Sequence, residues 1–353
     1  EDDEPNPVRV SGLTDTVTDI SAGSGFTCAV TSGGAVYCWG ENLHGKLGTG
    51  DTTDHFVPTL INTPLSDFIQ VSAGASNACA VRSTGTVQCW GINDNGNMGR
   101  CTSGSENQLS PAAVIQYCPS TQLMNVVQVE VAFSHVCART NATDSNQVYC
   151  WGNNYFGQIG LNNTSSPIDH ASLALRVAHT SQPTAPVEAQ QISVGAFHSC
   201  AIGYGPVAQI YCWGNDASGR LGNGDTMGDT TYGWETQRVV DRMANTIDFT
   251  DAVTIVTGER HSIAITTDGT PCGWGDNGEG QAGGVTASAS VQAARTATML
   301  MPFMPITSIT AGEEHSCLVT GDGAAYCFGN NDYGQLGDGS TTSSATPVAV
   351  LFY

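Results

Sequence analysis

The chain writes one phrase six times: an aromatic residue and a glycine, a short polar loop, then Gly-x-x-Gly. The copies are Trp39-Gly40…Gly45…Gly48, Trp90-Gly91…Gly96…Gly99, Trp151-Gly152…Gly157…Gly160, Trp213-Gly214…Gly219…Gly222, Trp274-Gly275…Gly280…Gly283 and Phe328-Gly329…Gly334…Gly337. The aromatic residues recur every 51 to 62 residues. A fixed phrase at that period is one supersecondary unit stacked on copies of itself. Such units bury their faces only against neighbours, so they build one continuous domain.

Within a unit the pattern is that of strands. Upstream of the first cysteine position lie Ile20, Val71, Val129, Ile192, Ile255 and Ile309, then Gly23, Gly74, Ala132, Gly195, Gly258 and Gly312. Alternating runs follow, such as Phe26-Thr27-Cys28-Ala29-Val30, then a small turn, then Ala35-Val36-Tyr37-Cys38-Trp39. Short β-prone runs split by glycine-containing turns are strand signals. A further apolar segment precedes each inner run: Pro7-Val8-Arg9-Val10, Pro58-Thr59-Leu60-Ile61, Pro111-Ala112-Ala113-Val114, with poorer versions at Leu173 to Val177, Val239-Val240 and Met299-Leu300. A seventh copy, Pro347-Val348-Ala349-Val350, reads as an orphan strand. Four strands per unit make a propeller blade. The expectation is an all-β propeller of six four-stranded blades, spanning approximately 7–57, 58–110, 111–172, 173–237, 238–296 and 297–346, with a terminal strand at 347–353. The alternative is seven blades, one of them supplied outside this sequence.

The cysteines recur in register. Cys28 and Cys38 are symmetric about Gly33, Cys79 and Cys89 about Thr84, Cys317 and Cys327 about Asp322. Each falls in a three-residue turn with glycine last, which suits a hairpin. A directly opposed pair of this kind brings its Cα atoms within disulfide reach. Cys137–Cys150 and Cys200–Cys212 fit the same slot with longer loops, and Cys101–Cys118 brackets an insertion. In the fifth repeat both positions are lost together, to Ile263 and Gly273; Cys272, one residue off the slot, is expected to be a free thiol on the opposite face. Six such disulfides imply an oxidising compartment, extracellular or at a cell surface. The acidic start Glu1-Asp2-Asp3-Glu4 reads as a mature form or as a module of a longer chain.

Thirty-two acids against 11 bases give a net charge of −21. That charge disfavours nucleic acid, since phosphate backbones repel it. No apolar run approaches the ~18 residues of a membrane span, so membrane insertion is not expected.

These residues resemble the regulator of chromosome condensation repeat. Its consensus is roughly Ile-x-x-Gly-x-x-His-Ser, then Gly-x-Val-x-x-Trp-Gly-x-Asn-x-x-Gly-Gln-Leu-Gly. Ile309, Gly312, His315, Ser316, Gly323, Phe328, Gly329, Asn331, Gly334, Gln335, Leu336 and Gly337 fit it. The resemblance implies a β-propeller, commonly of seven blades. A light-sensing member carries Gly-Trp-Arg-His-Thr where this chain has Gly233-Trp234-Glu235-Thr236-Gln237, so photoreception is not expected.

No nucleophile elbow, zinc-protease helix or phosphate loop appears, so no catalytic residue and no enzyme activity are expected. His135, His198, His261 and His315 share one position with Phe26 and Asn77; blades hold equivalent positions too far apart for a common metal ion, and a packing role is expected. Asn42, Asn93, Asn154, Asp216, Asn277 and Asn331 are read as turn caps. Gly48-Thr49-Gly50-Asp51 and Gly222-Asn223-Gly224-Asp225 raise calcium, but lack the spacing of a calcium loop; no metal or cofactor is expected.

Asn141, Asn162 and Asn163 begin N-glycosylation triplets. The segments 100–119, 162–185, 226–236 and 284–304 read as irregular, and Tyr117, Tyr155, Phe156, Tyr232 and Trp234 read as interface anchors. Function is expected to be that of a secreted or cell-surface binding or structural module with a protein partner or self-assembly. A secreted enzyme inhibitor is the alternative, and nucleotide exchange or a propeller enzyme a remoter one.

Overall fold

The computed structural model describes residues 7–101, 106–161, 168–179, 185–205, 207–224, 232–241, 247–248, 250–283, 290–296 and 305–351. It is an all-β propeller of six blades. Blade one comprises Val17–Gly23, Phe26–Thr31, Val36–Gly40 and His55–Leu60; blade two Phe68–Ala73, Asn77–Arg82, Val87–Gly91 and Gln108–Ala113; blade three Val126–Val131, His135–Thr140, Val148–Asn153 and His170–Arg176. Blade four comprises Ala189–Val194, His198–Gly203, Ile210–Asn215 and Tyr232–Arg238; blade five Ala252–Thr257, His261–Thr266, Pro271–Asp276 and Ser290–Thr296; blade six Ile306–Ala311, His315–Thr320, Ala325–Gly329 and Ser344–Ala349. Every blade is an antiparallel meander in chain order, innermost strand first. Blade five carries two extra short strands, Val240–Asp241 and Ile247–Asp248, beyond its outer edge.

The chain divides into two compact units, Val10–Ile192 with the first three blades, and Ser193–Tyr353 with Glu1–Arg9, holding nearly all of the last three.

The repeat phase differs from the sequence expectation. The Pro-apolar segments close the preceding blade instead of opening the next. Leu60 pairs with Tyr37 and Thr59 with Cys38. The C-terminal segment is likewise no orphan: Val348 pairs with Cys327 and Ala349 with Tyr326, as the fourth strand of blade six. Residues 7–10 form no strand, and Val8 is 69% exposed. The reason is local. The loop after each aromatic-Gly turns the chain straight back onto the outer side of the strand it has just left, whose hydrogen-bonding groups would otherwise be open.

The four irregular segments are corrected in the same way, since each holds all or most of its blade's outer strand: Gln108–Ala113, His170–Arg176, Tyr232–Arg238 and Ser290–Thr296. In all six blades the pairing of third and fourth strands slips next to the aromatic residue, between Cys38 and Gly40 in blade one and between Cys327 and Gly329 in blade six. A slip of this kind breaks the two-residue alternation that marks a strand in sequence.

The core lies between blades. Phe26, Cys28, Val30, Leu47, Phe68, Val71, Ala80 and Trp90 pack together between blades one and two. Cys79, Val81, Met98, Val129, Val136 and Trp151 do so between blades two and three. Cys200, Ile202, Leu221, Ile255, Ala264 and Trp274 repeat the layer between blades four and five.

Candidate interaction surface

The repeated residues are consumed by the scaffold, and accounting for them leaves the surface free for recognition. The six asparagine-type residues perform one task. Asn42 Oδ1 accepts from the Leu47 amide at 2.9 Å, Asn93 from Met98 at 3.2 Å, Asn154 from Ile159 at 3.1 Å, Asp216 from Leu221 at 3.1 Å, Asn277 from Ala282 at 2.9 Å and Asn331 from Leu336 at 2.8 Å. Each pins the Gly-x-x-Gly turn.

The aromatic residue docks on the previous blade's turn. Trp90 Nε1 donates to the Lys46 carbonyl at 3.0 Å, Trp151 to Asn97 at 2.9 Å and Trp274 to Arg220 at 3.0 Å. The last glycine of that turn has φ +69 at Gly48, and a Cβ there would sit 2.7 Å from Trp90 Cδ1. The glycine after the aromatic is equally constrained: Gly40 has φ +113, and a Cβ would run into the Gly25 carbonyl. Side chains rarely adopt such φ values, so both positions demand glycine.

The histidines are structural. His198 Nε2 lies 2.9 Å from Ser262 Oγ, and His261 Nε2 lies 2.8 Å from Ser316 Oγ. Burial drives His135 and His261 down to about 3, so both are neutral at physiological pH. The His261 ring also lies against its own Gly258, whose missing side chain makes room for it.

One set of bonds had no counterpart in the sequence reading. The innermost strands of blades two to five each have an outward edge that side chains of the preceding blade reach. Asp19 Oδ2 accepts from Val71 N at 2.8 Å and Ser21 Oγ from Ala73 N at 3.0 Å. Gln70 both accepts from Val129 N at 2.8 Å and donates to its carbonyl at 3.1 Å, while Ser72 Oγ accepts from Val131 N at 2.9 Å. Gln128 repeats the double bond on Ile192, at 3.1 and 2.8 Å. The signal was present as polar residues flanking the apolar one: Asp19-Ile20-Ser21, Gln70-Val71-Ser72, Gln128-Val129-Glu130. Glu130 is raised to about 7, chiefly by burial, with the Asp19 charge adding to the effect and a hydrogen bond from Gln128 opposing it.

Disulfides join Cys28–Cys38, Cys79–Cys89, Cys101–Cys118, Cys137–Cys150, Cys200–Cys212 and Cys317–Cys327. Cys272 is buried and in no disulfide. Ile263 and Gly273 face one another in blade five, where a Cβ on residue 273 would collide with the Ala282 carbonyl. Lys46, the only lysine, is buried: Nζ donates to the Ser24 carbonyl at 2.7 Å and to Glu41 Oε2 at 3.0 Å, over the Phe26 ring at 5.3 Å. Among the described residues no group of three or more His, Cys, Asp or Glu could hold a metal ion. Asn141 is partly buried, and its side-chain oxygen caps the turn at Thr143 N, 2.9 Å away. Asn162 and Asn163 lie outside the described residues.

What remains is the end of each blade where two turns meet. The turn between first and second strands is stitched to the loop after the third in every blade: Glu41 N to Gly25 O at 2.8 Å, Asn153 N to Ser134 O at 2.8 Å, Asp276 N to Arg260 O at 2.8 Å, Asn330 N to Glu314 O at 2.9 Å. In the first unit of sequence this end exposes Leu43 (65%), Phe133 (59%) and Tyr155 (58%), and Tyr155 meets Phe156 edge-on at 5.0 Å. Leu43 and Phe133 were missed, because single apolar residues in polar turns leave no pattern. Tyr117 is 64% exposed but follows the outer strand of blade two, at the opposite end of the sheets, in a small hairpin with Thr121–Gln122. The structure therefore separates Tyr117 from Tyr155 and Phe156. Tyr232 belongs to a strand, as does Trp234; the side chains of both lie outside the described residues. In the other unit the same ends carry Glu259, Arg260, Glu279, Glu313, Glu314 and Asp332, with Arg260 on Glu259 at 3.1 Å. Burial and then the neighbouring Glu259 raise Glu314.

The sequence profile of the RCC1-like domain matches residues 62–352, and that of the regulator of chromosome condensation (RCC1) repeat matches 33–81. The chain belongs to the RCC1-like domain family. It is 26% identical over 352 residues to the ultraviolet-B receptor UVR8 of Arabidopsis thaliana, covering 99% of this chain and 73% of the receptor. It is also 26% identical to the human E3 ubiquitin-protein ligase HERC2, where 91% of this chain matches only 6% of the ligase. Among solved structures, human WBSCR16 superposes with a TM-score of 0.81 at 20% identity, covering 99% of this chain and 85% of that one. Yeast RCC1 (Prp20) bound to Kap60 gives 0.74 at 22% identity, covering 94% and 74%.

Proposed function

We propose that this RCC1-like propeller is a secreted or cell-surface protein-binding module. The observation that carries the reading is the division of labour at the turn-bearing end of the blades. The repeated Asn, His, Trp and Gly residues are bonded into the scaffold, while Leu43, Phe133 and Tyr155 stand exposed on turns held by backbone bonds. Rigidly held aromatic side chains suit protein recognition, because little ordering entropy opposes binding. The six disulfides support an oxidising setting. The acids of the other unit favour a partner with basic groups. Yeast Prp20, of the same fold, is a protein whose complexes include Kap60; that a propeller of this kind serves as a docking scaffold is consistent with the reading.

The test is affinity isolation from the native source under non-reducing conditions, comparing the chain with its Phe133→Ser, Tyr155→Ser variant. A partner held by the parent and lost from the variant, with the cysteines oxidised in native material, supports the proposal. Native thiols found reduced, or a partner held equally by both forms, overturns it. A captured hydrolase that loses activity on binding would make the module an inhibitor.

A further inference from the structure

The hairpin between the second and third strands is enlarged in blade three. Blades one, two, five and six close it with residues 32–34, 83–85, 267–269 and 321–323, whereas blade three uses residues 141–146. The longer turn opens with Asn141-Ala142-Thr143, an N-glycosylation triplet. Its backbone is held firmly. The Asn141 amide donates to the Asn125 carbonyl at 2.8 Å, and the Asn141 carbonyl accepts from Asp144 N and Asn146 N, each at 3.0 Å.

The side chain is divided between two tasks. Oδ1 accepts from Thr143 N at 2.9 Å, as a turn-capping asparagine does. Nδ2 points the other way. It has no partner among the described residues and is not sealed from solvent. Asn141 is half-buried, and Ala142 and Thr143 are exposed. The asparagines that pin the Gly-x-x-Gly turns differ in this respect. Asn42 Nδ2 donates to Thr49 and Asp51, Asn154 Nδ2 to the Ile168 carbonyl, and Asn331 Nδ2 to the Ser340 and Thr342 carbonyls, all with the residue buried. Replacing one Nδ2 hydrogen of Asn141 leaves Oδ1 in place, so the cap survives the modification.

We propose that Asn141 carries an N-linked glycan, which marks the end of blade three opposite its recognition turns. The donor is a lipid-linked oligosaccharide diphosphate. Asn141 Nδ2 forms a bond to C1 of the first sugar, the bond from C1 to the diphosphate oxygen breaks with its electron pair leaving on the lipid diphosphate, and a base of the transferase takes one Nδ2 proton. The second-to-third-strand hairpin lies at the far end of the antiparallel meander from the turn bearing Phe133 and the loop bearing Tyr155. The glycan therefore leaves those side chains open. It stands beside Asn125, whose neighbour Met124 is 45% exposed, and covers that apolar spot. The inference rests on the secreted or cell-surface reading above, because the transferase acts on chains entering that route.

The experiment treats native protein, isolated without reduction, with peptide-N-glycosidase in heavy-oxygen water and locates the product by mass spectrometry. The expected result is a heavy-oxygen aspartate at position 141 in most molecules. In protein made by cells of the same source, Thr143→Ala abolishes the label and Thr143→Ser retains it. Thr143→Ala keeps the capping bond, which uses the backbone N–H, so loss of the glycan is not a consequence of a broken turn. An unmodified Asn141 in native protein whose cysteines are oxidised overturns the proposal and leaves the oxidising-compartment reading standing. An unmodified Asn141 with reduced thiols overturns both. Label that persists in Thr143→Ala, or that forms without the enzyme, is spontaneous deamidation and overturns the proposal too.

Discussion

His261 in blade five holds its Nε2 2.8 Å from the Ser316 hydroxyl of blade six, and that hydroxyl lies 3.0 Å from the Gln281 carbonyl to which it donates. Ser316 must therefore accept from His261, which fixes the proton on Nε2. Nδ1 is left buried with no hydrogen-bond partner. Protonating Nδ1 would place a charge where nothing receives it.

Stability should accordingly fall in acid. The folded His261 titrates at about 3 against 6.5 for the free group, so the unfolded chain takes up the proton first. The contribution is complete above pH 6.5 and is lost as pH falls through the window down to about 3. Urea unfolding at a series of pH values should show a declining midpoint below pH 6.5, and His261→Phe, the residue type found at Phe26, should flatten part of that slope.

Glu130 should act in the opposite sense. Its folded value of about 7 lies above the ordinary 4.5, so the folded state keeps the proton longer than the unfolded chain does. Its contribution is present below pH 4.5 and disappears as pH rises to about 7. Glu130→Gln should therefore raise stability by about 1–3 kcal/mol at pH 8 and change little at pH 4.5. Thermal melts at the two pH values decide it.

The indole bonds should separate the tryptophans. Trp90→Phe keeps a ring against Gly48 but strands the Lys46 carbonyl, at a cost of about 1–2 kcal/mol beyond the change in packing. Trp39→Phe removes no such bond among the described residues and should cost less than about half of that. Equilibrium denaturation of the two variants makes the comparison.

Removing one hairpin disulfide by Cys28→Ala with Cys38→Ala should lower stability by about 2–3 kcal/mol. The cysteines stand directly opposite each other in the strand register, so native geometry should survive, as read by unchanged near-ultraviolet circular dichroism. Blade five holds Ile263 and Gly273 in that slot, which shows that the sheet forms without the bond.

The blades were legible in sequence because their informative residues are locally constrained. Gly40 has a backbone conformation that side chains avoid, Asn42 caps its own turn, and Trp90 has one site to fill. The outer strands were not legible. Thr59 and Leu60 lie on an edge and pair across a slipped register, so no alternation marks them. The blade boundary was displaced for the same reason, because a Pro-apolar segment reads alike whether it ends one sheet or begins another. The exposed turn residues Leu43 and Phe133 were invisible, since recognition surfaces obey no repeat. The flanking Gln70 and Ser72 looked like ordinary polar positions until the neighbouring strand edge supplied their purpose.

The interior position of Lys46 has a practical corollary. With its ammonium group held by the Ser24 carbonyl and Glu41, the folded molecule withholds its single lysine from acylating reagents and from enzymes that conjugate ubiquitin-like tags to ε-amino groups. Surface coupling or cross-linking has to use other groups, such as the carboxylates or exposed tyrosines like Tyr333, and covalent tagging of the folded propeller must work through a functional group other than this ε-amine.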